Sequence, residues 1–319
     1  MNNILDSIKN NEEITREQAK ELLSIDCTTD AFYDLVKAVN RSNRKRFNGQ
    51  GYVFAQIGID ARPCSGGCKF CSMAEEHYCV EASFIKSKEE VVKEAKLLAS
   101  QPITDLFLMT TAEYDITDLI SIVKAVKSVM PKHMKLVVNT HDFGIKEARE
   151  LKNAGATGVY HIHRLREGED TAIDSSTRIE TLDAIKETNL DLYYCIEPIG
   201  PEHTYDEILD EIYRAKEYGC NVMAVMRRTP VKGTPLWEKG AITALETIKI
   251  AAVTSLIVKP ERSMNIHEII PTSLMCGINQ LYAEYGSNPR DNISRTEKGR
   301  GFTIQEASDL LIEYGWKVL

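Results

Sequence analysis

Apolar positions along the chain follow two alternating rhythms. Short runs rich in β-branched and aromatic residues, bounded by turn formers, give way to stretches in which apolar residues recur every three to four positions. The first kind predicts strands at Tyr52–Ile59, Asp105–Thr111, Met134–Asn139, Thr157–His163, Leu190–Ile196, Asn221–Met226, Arg262–Ile266 and Ile278–Tyr282. The second predicts helices near Ser87–Ser100, Thr117–Val129, Ile145–Asn153, Arg178–Thr188, Tyr205–Tyr218, Ile242–Ile257 and His267–Met275. A helix separates each strand from the next, so the strands should pair in parallel. Eight of them should close into a (β/α)8 TIM-type barrel of the α/β class.

Residues 1–48 read as N-terminal helices packed on the barrel, with Thr15 and the stretch Asp26 to Thr29 as caps. Residues 49–286 form the barrel. Residues 287–319 form a C-terminal tail with polar turns at Asn288–Asp291 and a capped helix from Thr303 to Glu313. No Gly-, Pro- or Ser-rich linker and no internal repeat interrupts this plan, so one domain with terminal additions is expected.

In such a barrel the segments that follow the strands build the active site at one end. Side chains alternate across a strand, which puts His161 and His163 on one face near the mouth and Ile162 on the other. Two histidines there serve either a ligand or the core, and both readings stay open. The same alternation puts Tyr193, Cys195 and Glu197 on one face, bringing a thiol and a carboxylate inside the barrel.

Composition narrows the function classes. A chain of 319 residues with 43% hydrophobic and 27% charged residues can bury a sizeable core and carries no disorder signature. No apolar run approaches membrane-spanning length, and the start Met1-Asn2-Asn3-Ile4 lacks the basic and apolar regions of an export signal, so the cytoplasm is expected. A net charge of -8 and the lack of a basic stripe interleaved with aromatics argue against nucleic acid as main partner. The short patch of Arg41, Arg44, Lys45 and Arg46 reads as a solvated helix face. Eight cysteines in a reducing compartment read as metal ligands or small buried groups.

Three of those cysteines carry the strongest signal. Cys64, Cys68 and Cys71 follow the first strand with spacing C-x3-C-x2-C, and Gly66 and Gly67 let the backbone wrap tightly between the first two. Three thiolates on a four-iron cubane leave one iron open, and an open metal position is where chemistry happens. The alternative is a structural zinc site completed by His77 or Cys79, although no second Cys-x2-Cys pair is present. Cys220 and Cys276 precede strands six and eight at the opposite end and read as buried apolar residues.

The loop's spacing, its aromatic Phe70 directly before the last cysteine and its place after strand one resemble the radical S-adenosylmethionine (SAM) superfamily. The resemblance implies a 4Fe-4S cluster on Cys64, Cys68 and Cys71, with SAM on its fourth iron and Phe70 beside the cofactor. It also implies that Thr111, Ala112 and Glu113 stand where relatives hold the methionine ammonium, although the usual double glycine is absent. Arg178 would pair with the SAM carboxylate, and Ile199 and Gly200 would pack on the adenine. Plainer readings exist for each: a polar helix start, an exposed helix arginine and an ordinary strand-end turn.

Lys232-Gly233-Thr234-Pro235-Leu236 and Cys276-Gly277-Ile278-Asn279 resemble the biotin synthase branch, near lipoyl synthases and hydrogenase maturases, over about residues 50–285. Biotin synthases place an auxiliary-cluster cysteine on strand five, at or near Cys195. The chain departs from them elsewhere. His161 and His163 stand at or near asparagine positions, Met226 stands where another asparagine is expected, and strands two and three lack cluster thiols. Cys195, Cys79 and Cys27 are therefore candidate ligands of a different auxiliary iron-sulfur cluster. His161, His163, Met226 and Glu197 are the candidate substrate-binding residues.

The implied activity is reductive cleavage of SAM to a 5'-deoxyadenosyl radical that takes hydrogen from an unactivated carbon of a small-molecule substrate. Sulfur insertion, as from dethiobiotin to biotin, is the expected outcome. Carbon-skeleton rearrangement or metallocofactor maturation without sulfur insertion is the alternative, and a non-catalytic iron-sulfur or zinc protein is a third reading. A flavodoxin or ferredoxin is expected as electron donor, with neither nucleic acid nor membrane as partner, and a homodimer is left open.

Overall fold

Eight parallel strands, hydrogen-bonded in sequence order with β8 returning to β1, close the barrel. They are β1 (Tyr52–Gly58), β2 (Asp105–Met109), β3 (Lys135–Asn139), β4 (Gly158–Tyr160), β5 (Asp191–Ile199), β6 (Val222–Arg227), β7 (Ser263–Ile266) and β8 (Gln280–Tyr285). The structure is a computed structural model and describes residues 4, 7–8, 12–267, 270–285, 291–296 and 301–318.

Two helices, α1 (Arg16–Leu23) and α2 (Asp30–Arg46), precede the barrel. The outer layer consists of α3 (Lys88–Ala99), α4 (Ile116–Lys127), α5 (Ile145–Ala154), α6 (Ser175–Thr188), α7 (Tyr205–Tyr218) and α8 (Ala244–Val258), and α9 (Ile304–Glu313) follows the last strand. Among the described residues no helix is long and apolar enough to cross a membrane.

Local sequence explains where the helices begin. Thr15 with Gln18, Ser87 with Glu90, Thr204 with Glu207 and Thr303 with Glu306 form reciprocal capping boxes, each satisfying two backbone donors that a helix start leaves open. The strands β1, β2, β3 and β7 appear with trimmed ends, β4 stops at Tyr160, β5 runs on to Ile199, and β6 and β8 begin later and run on to Arg227 and Tyr285. The helix expected at His267–Met275 is, in its described part, a 3-10 turn at Pro271–Cys276. The domain boundary at 286–287 and the turn residues Asn288, Pro289 and Arg290 lie outside the described residues, as do Met1, Asn2 and Asn3. Beyond them, α9 packs on β8 and β1, with Phe302 bridging to Ala283 and Lys317 to Gln50.

The barrel interior changes character along its axis. At the N-terminal end, Phe54, Phe107 and Tyr193 pack in tilted and edge-to-face contacts with ring centroids 5.3–5.9 Å apart. Asp105, fully buried, accepts from Tyr193 Oη at 2.6 Å and from Arg262 through Nη1 and, at 2.6 Å, Nη2. Arg262 in turn covers the rings of Tyr52 and Phe54. Among the described residues this end is a plug, and the main cavity lies at the C-terminal ends of the strands. Asp105→Ala should lower unfolding stability by about 3–5 kcal/mol, because it leaves the Arg262 cation without its carboxylate. Urea unfolding checks this, and a loss below about 1 kcal/mol, the range of an exposed pair, would contradict it.

Candidate active site

The three predicted thiols meet at the mouth. Cys64, Cys68 and Cys71 all line a cavity of ≈ 370 Å³ at the C-terminal ends of the strands, with Phe70 beside them. A Cβ added at Gly66 would make ordinary van der Waals contact with Cys64 Sγ at 3.5 Å and Cys68 Sγ at 3.6 Å, so Gly66 lies between the two sulfurs. Gly67 has φ +56°, and a side chain there would meet Ala172 at 2.7 Å. Met73 N–H donates to Cys71 Sγ at 3.3 Å.

Burial pushes the Cys68 thiol up to about 11 and the Cys71 thiol well above its ordinary value. Bare, both would be protonated at neutral pH, whereas bound irons deprotonate coordinating thiols. The donor set therefore fits a 4Fe-4S cluster. The zinc alternative fits less well, because His77 Nε2 is 3.1 Å from the Cys71 carbonyl oxygen and Cys79 packs against Gly233.

Side chains on one flank of the cavity form a charged shelf. Arg178 Nη1 donates to Asp142 Oδ1 at 3.1 Å, and its Nε lies 3.3 Å from Glu167 Oε2. Burial alone would raise the Asp142 carboxyl, but His161 and Arg178 beside it hold it below the usual carboxylate range. Arg164 lies 3.7 Å from Glu167 and 3.9 Å from Glu197. Its Nε and Nη1, and Arg178 Nε, are buried and make no hydrogen bond among the described residues. Two guanidinium groups with unsatisfied donors beside the cysteine loop suit a carboxylate.

The floor is polar and aromatic. Tyr160 Oη donates to Glu197 Oε2 at 2.9 Å. The His267 ring stacks on Tyr160 with centroids 5.6 Å apart and meets Tyr282 edge-on at 4.8 Å. Gln56, Met226 and Glu284 complete this region. Of these only Glu197 and Met226 were singled out from sequence. Tyr160 was legible, since alternation along β4 from Gly158 points it inward. His267, expected at the start of a helix, instead continues the inward series Ser263, Asn265 from β7.

Several sequence expectations are corrected. His163 does not face the cavity: its ring lies 2.9 Å from Glu211 Oε1 and 2.7 Å from Ser175 Oγ, inside a buried network with Tyr194. β4 ends before it, so strand alternation no longer applies. His161 is buried behind Asp142, with Nε2 3.3 Å from Oδ1, and burial lowers its pKa below the ordinary value. Ile199 and Gly200 line a separate cavity of ≈ 300 Å³ beside Tyr205 and Ile250. A register shift between Ile196 and Ile199 turns the strand exit away from the barrel axis. Gly200 is needed there because a Cβ would lie 2.3–2.5 Å from the Arg228 guanidinium, which grips Glu202 with both Nη atoms.

Thr111 and Ala112 line the main cavity, whereas Glu113 is exposed outside it and accepts from Ser65 N–H at 3.1 Å. Cys27 and Cys79 do not join Cys195. The Cys27 thiol lies 3.7 Å from Glu246 at the start of α8, in the outer helical layer, and neither it nor Cys79 lines the cavity.

Comparison with known proteins agrees with this geometry. The family model described as the Radical SAM superfamily matches residues 60–245. The chain is 28% identical over 302 residues to a biotin synthase of Pelotomaculum thermopropionicum, covering 88% of this chain and 91% of that protein. It is 23% identical to a biotin synthase of Clostridioides difficile, covering 77% and 78%. Among solved structures, methylornithine synthase superposes with a TM-score of 0.84 at 16% identity, covering 99% of this chain and 97% of that one. The FeFe-hydrogenase maturase HydG from Carboxydothermus hydrogenoformans gives 0.80 at 17%, covering 99% and 78%. These two likenesses establish the shared barrel.

Because His163 is structural, His163→Ala should cost about 1–3 kcal/mol of stability by removing the ring that bridges Glu211 Oε1 and Ser175 Oγ, although Tyr194 and Arg214 still bond Glu211. It should leave SAM affinity unchanged. A chemical melt with an equilibrium binding assay checks both, and a large loss of affinity in a stably folded variant would put His163 back in the binding site.

Proposed function

Because the chain belongs to the radical SAM superfamily, we propose that it cleaves SAM reductively and directs the resulting radical at a small polar substrate seated on the floor of this cavity. The carrying observation is that one continuous cavity joins the three-cysteine loop to Tyr160, Glu197, His267 and Tyr282. Cys64, Cys68 and Cys71 would hold a 4Fe-4S cluster, which when bound supplies the electron that splits SAM into methionine and a 5'-deoxyadenosyl radical.

This chain's own residues do the positioning. Unsatisfied donors of Arg164 and Arg178 suit the SAM carboxylate. Thr111 and Ala112 form the wall opposite, fixed by the Thr111 bonds to Asp60. Glu197, oriented by Tyr160, presents a carboxylate that suits a substrate N–H or O–H. Aromatic walls around the floor exclude water from a reactive radical.

The finer assignment, carbon–sulfur bond formation as in biotin synthesis, is supported by the names of the curated relatives. A second reading, rearrangement or cofactor maturation without sulfur insertion, is favoured by a specific observation: Cys27 and Cys79 stand apart from Cys195. An external flavodoxin or ferredoxin would supply electrons to the enzyme in the cytoplasm.

Anaerobic protein given SAM and dithionite should form methionine and 5'-deoxyadenosine, and replacing Cys64, Cys68 and Cys71 together by Ala should abolish both. Formation in that variant would end the proposal. Arg164→Ala and Arg178→Ala should each weaken SAM binding about 10- to 100-fold, as for loss of a charged hydrogen bond. Candidate substrates, dethiobiotin first, are screened by substrate-dependent 5'-deoxyadenosine. About four irons per chain would favour the second reading, and about six to eight would favour sulfur insertion, by the cluster sizes involved.

A further inference from the structure

We infer that Cys195, Glu197 and His267 form a site for a single divalent transition metal, zinc(II) or iron(II), in the cavity floor and separate from the cysteine loop. The Cys195 sulfur, a Glu197 oxygen and a His267 ring nitrogen all lie within 4.8 Å of one another. Tetrahedral zinc, with bonds of about 2.0–2.3 Å, sets its ligand atoms roughly 3.3–3.8 Å apart. Closing the present spacing therefore takes side-chain shifts of about 1 Å or less and no change of backbone.

The ligand chemistry selects the metal. One thiolate, one imidazole and one carboxylate make a mixed set of the kind that zinc and ferrous iron accept. Magnesium and calcium want oxygen alone, and iron-sulfur clusters want several thiolates. The scaffold is rigid: Cys195 and Glu197 are two apart on β5, and His267 follows β7 with its N–H bonded to the Val225 carbonyl at 3.2 Å. The ring is held between Tyr160 and Tyr282, and Tyr160 Oη orients the carboxylate from outside, as second-shell partners of metal ligands do.

Three protein ligands leave a fourth position. Glu197 and His267 line the cavity while Cys195 is fully buried beneath them, so that position faces the space above. The metal would take a heteroatom of the substrate there, a thiolate, carboxylate or amine. The other three-ligand grouping, Asp170, Glu202 and His203, lacks this character, because Arg228 grips both oxygens of Glu202 and Lys69 lies 3.4 Å from Asp170.

The test is zinc uptake by the cluster-reconstituted full-length protein, followed by gel filtration, metal analysis and zinc-edge X-ray absorption. About one zinc per chain is expected, with one sulfur neighbour near 2.3 Å and nitrogen or oxygen neighbours near 2.0–2.1 Å. Cys195→Ser should remove the sulfur neighbour. Tyr160→Phe, which keeps all three ligands, should weaken zinc binding about 10- to 100-fold. No retained zinc, or a sulfur neighbour that persists in Cys195→Ser, would overturn the assignment. Should Cys195→Ser fail to fold, His267→Gln must lose the zinc, and retention there would also overturn it. Iron counted after zinc has displaced any ferrous iron from the floor site reports the three-cysteine cluster separately, so either assignment can fail without the other.

Discussion

Everything in this protein depends on how firmly the cysteine loop is seated on the end of the barrel. Asp60, buried just past β1, is the anchor: it accepts from Thr111 N–H at 2.8 Å, from Thr111 Oγ1 at 2.6 Å and from Arg62 Nε at 2.9 Å. Farther along, Lys69 N–H donates to the Asp170 carbonyl, Ala172 N–H to Gly66 and Leu236 N–H to Lys69. The loop is thus tied to the segments after β2, β4 and β6 at once. A cofactor bound there is presented to the barrel interior in one orientation, which a radical reaction on an unactivated carbon requires.

Below that seat the interior is divided. The aromatic and ion-paired plug around Asp105 and Arg262 supplies packing, so the upper half is free to be polar. That half carries Gln56, Glu197, His267 and Glu284, and lower polar groups such as Asn265 and Gln280 have side-chain atoms without a hydrogen-bond partner among the described residues. Buried polar atoms of this kind cost free energy unless water or a ligand satisfies them. Their concentration above the plug marks the part of the barrel that serves binding.

What was legible in the sequence follows from local rules. Strands and helices alternate strongly, and the caps at Thr15 and Thr303 lie where S/T-x-x-E/Q patterns put them, while Thr29 stands at an N-cap position without a side-chain bond. Cys64, Cys68 and Cys71 converge because their loop is short. Tyr193, Cys195 and Glu197 share a face because β5 keeps its alternation through Glu197, ahead of the new register at Ile199. Misplacements occur where regularity ends. His161 and His163 lie past the end of β4, and Ile199 lies past the shift in β5. Cys27 lies in a turn whose packing on α8 is a tertiary fact without a local signal. Arg164 lies past β4 and follows the same rule, since loop side chains take their direction from contacts distant in sequence, whereas His267 keeps the alternation of β7 and is obscured by the helix expected to begin there.

The central claim, that three thiols hold a cluster whose remaining iron is open to SAM inside this cavity, is tested most directly by electron paramagnetic resonance of the reduced, reconstituted protein. Adding SAM without substrate should shift the spectrum of the cluster, and SAM labelled with nitrogen-15 at its amino group should add a hyperfine coupling. A reduced cluster whose spectrum is the same with and without saturating SAM, and which carries no such coupling, would contradict the account.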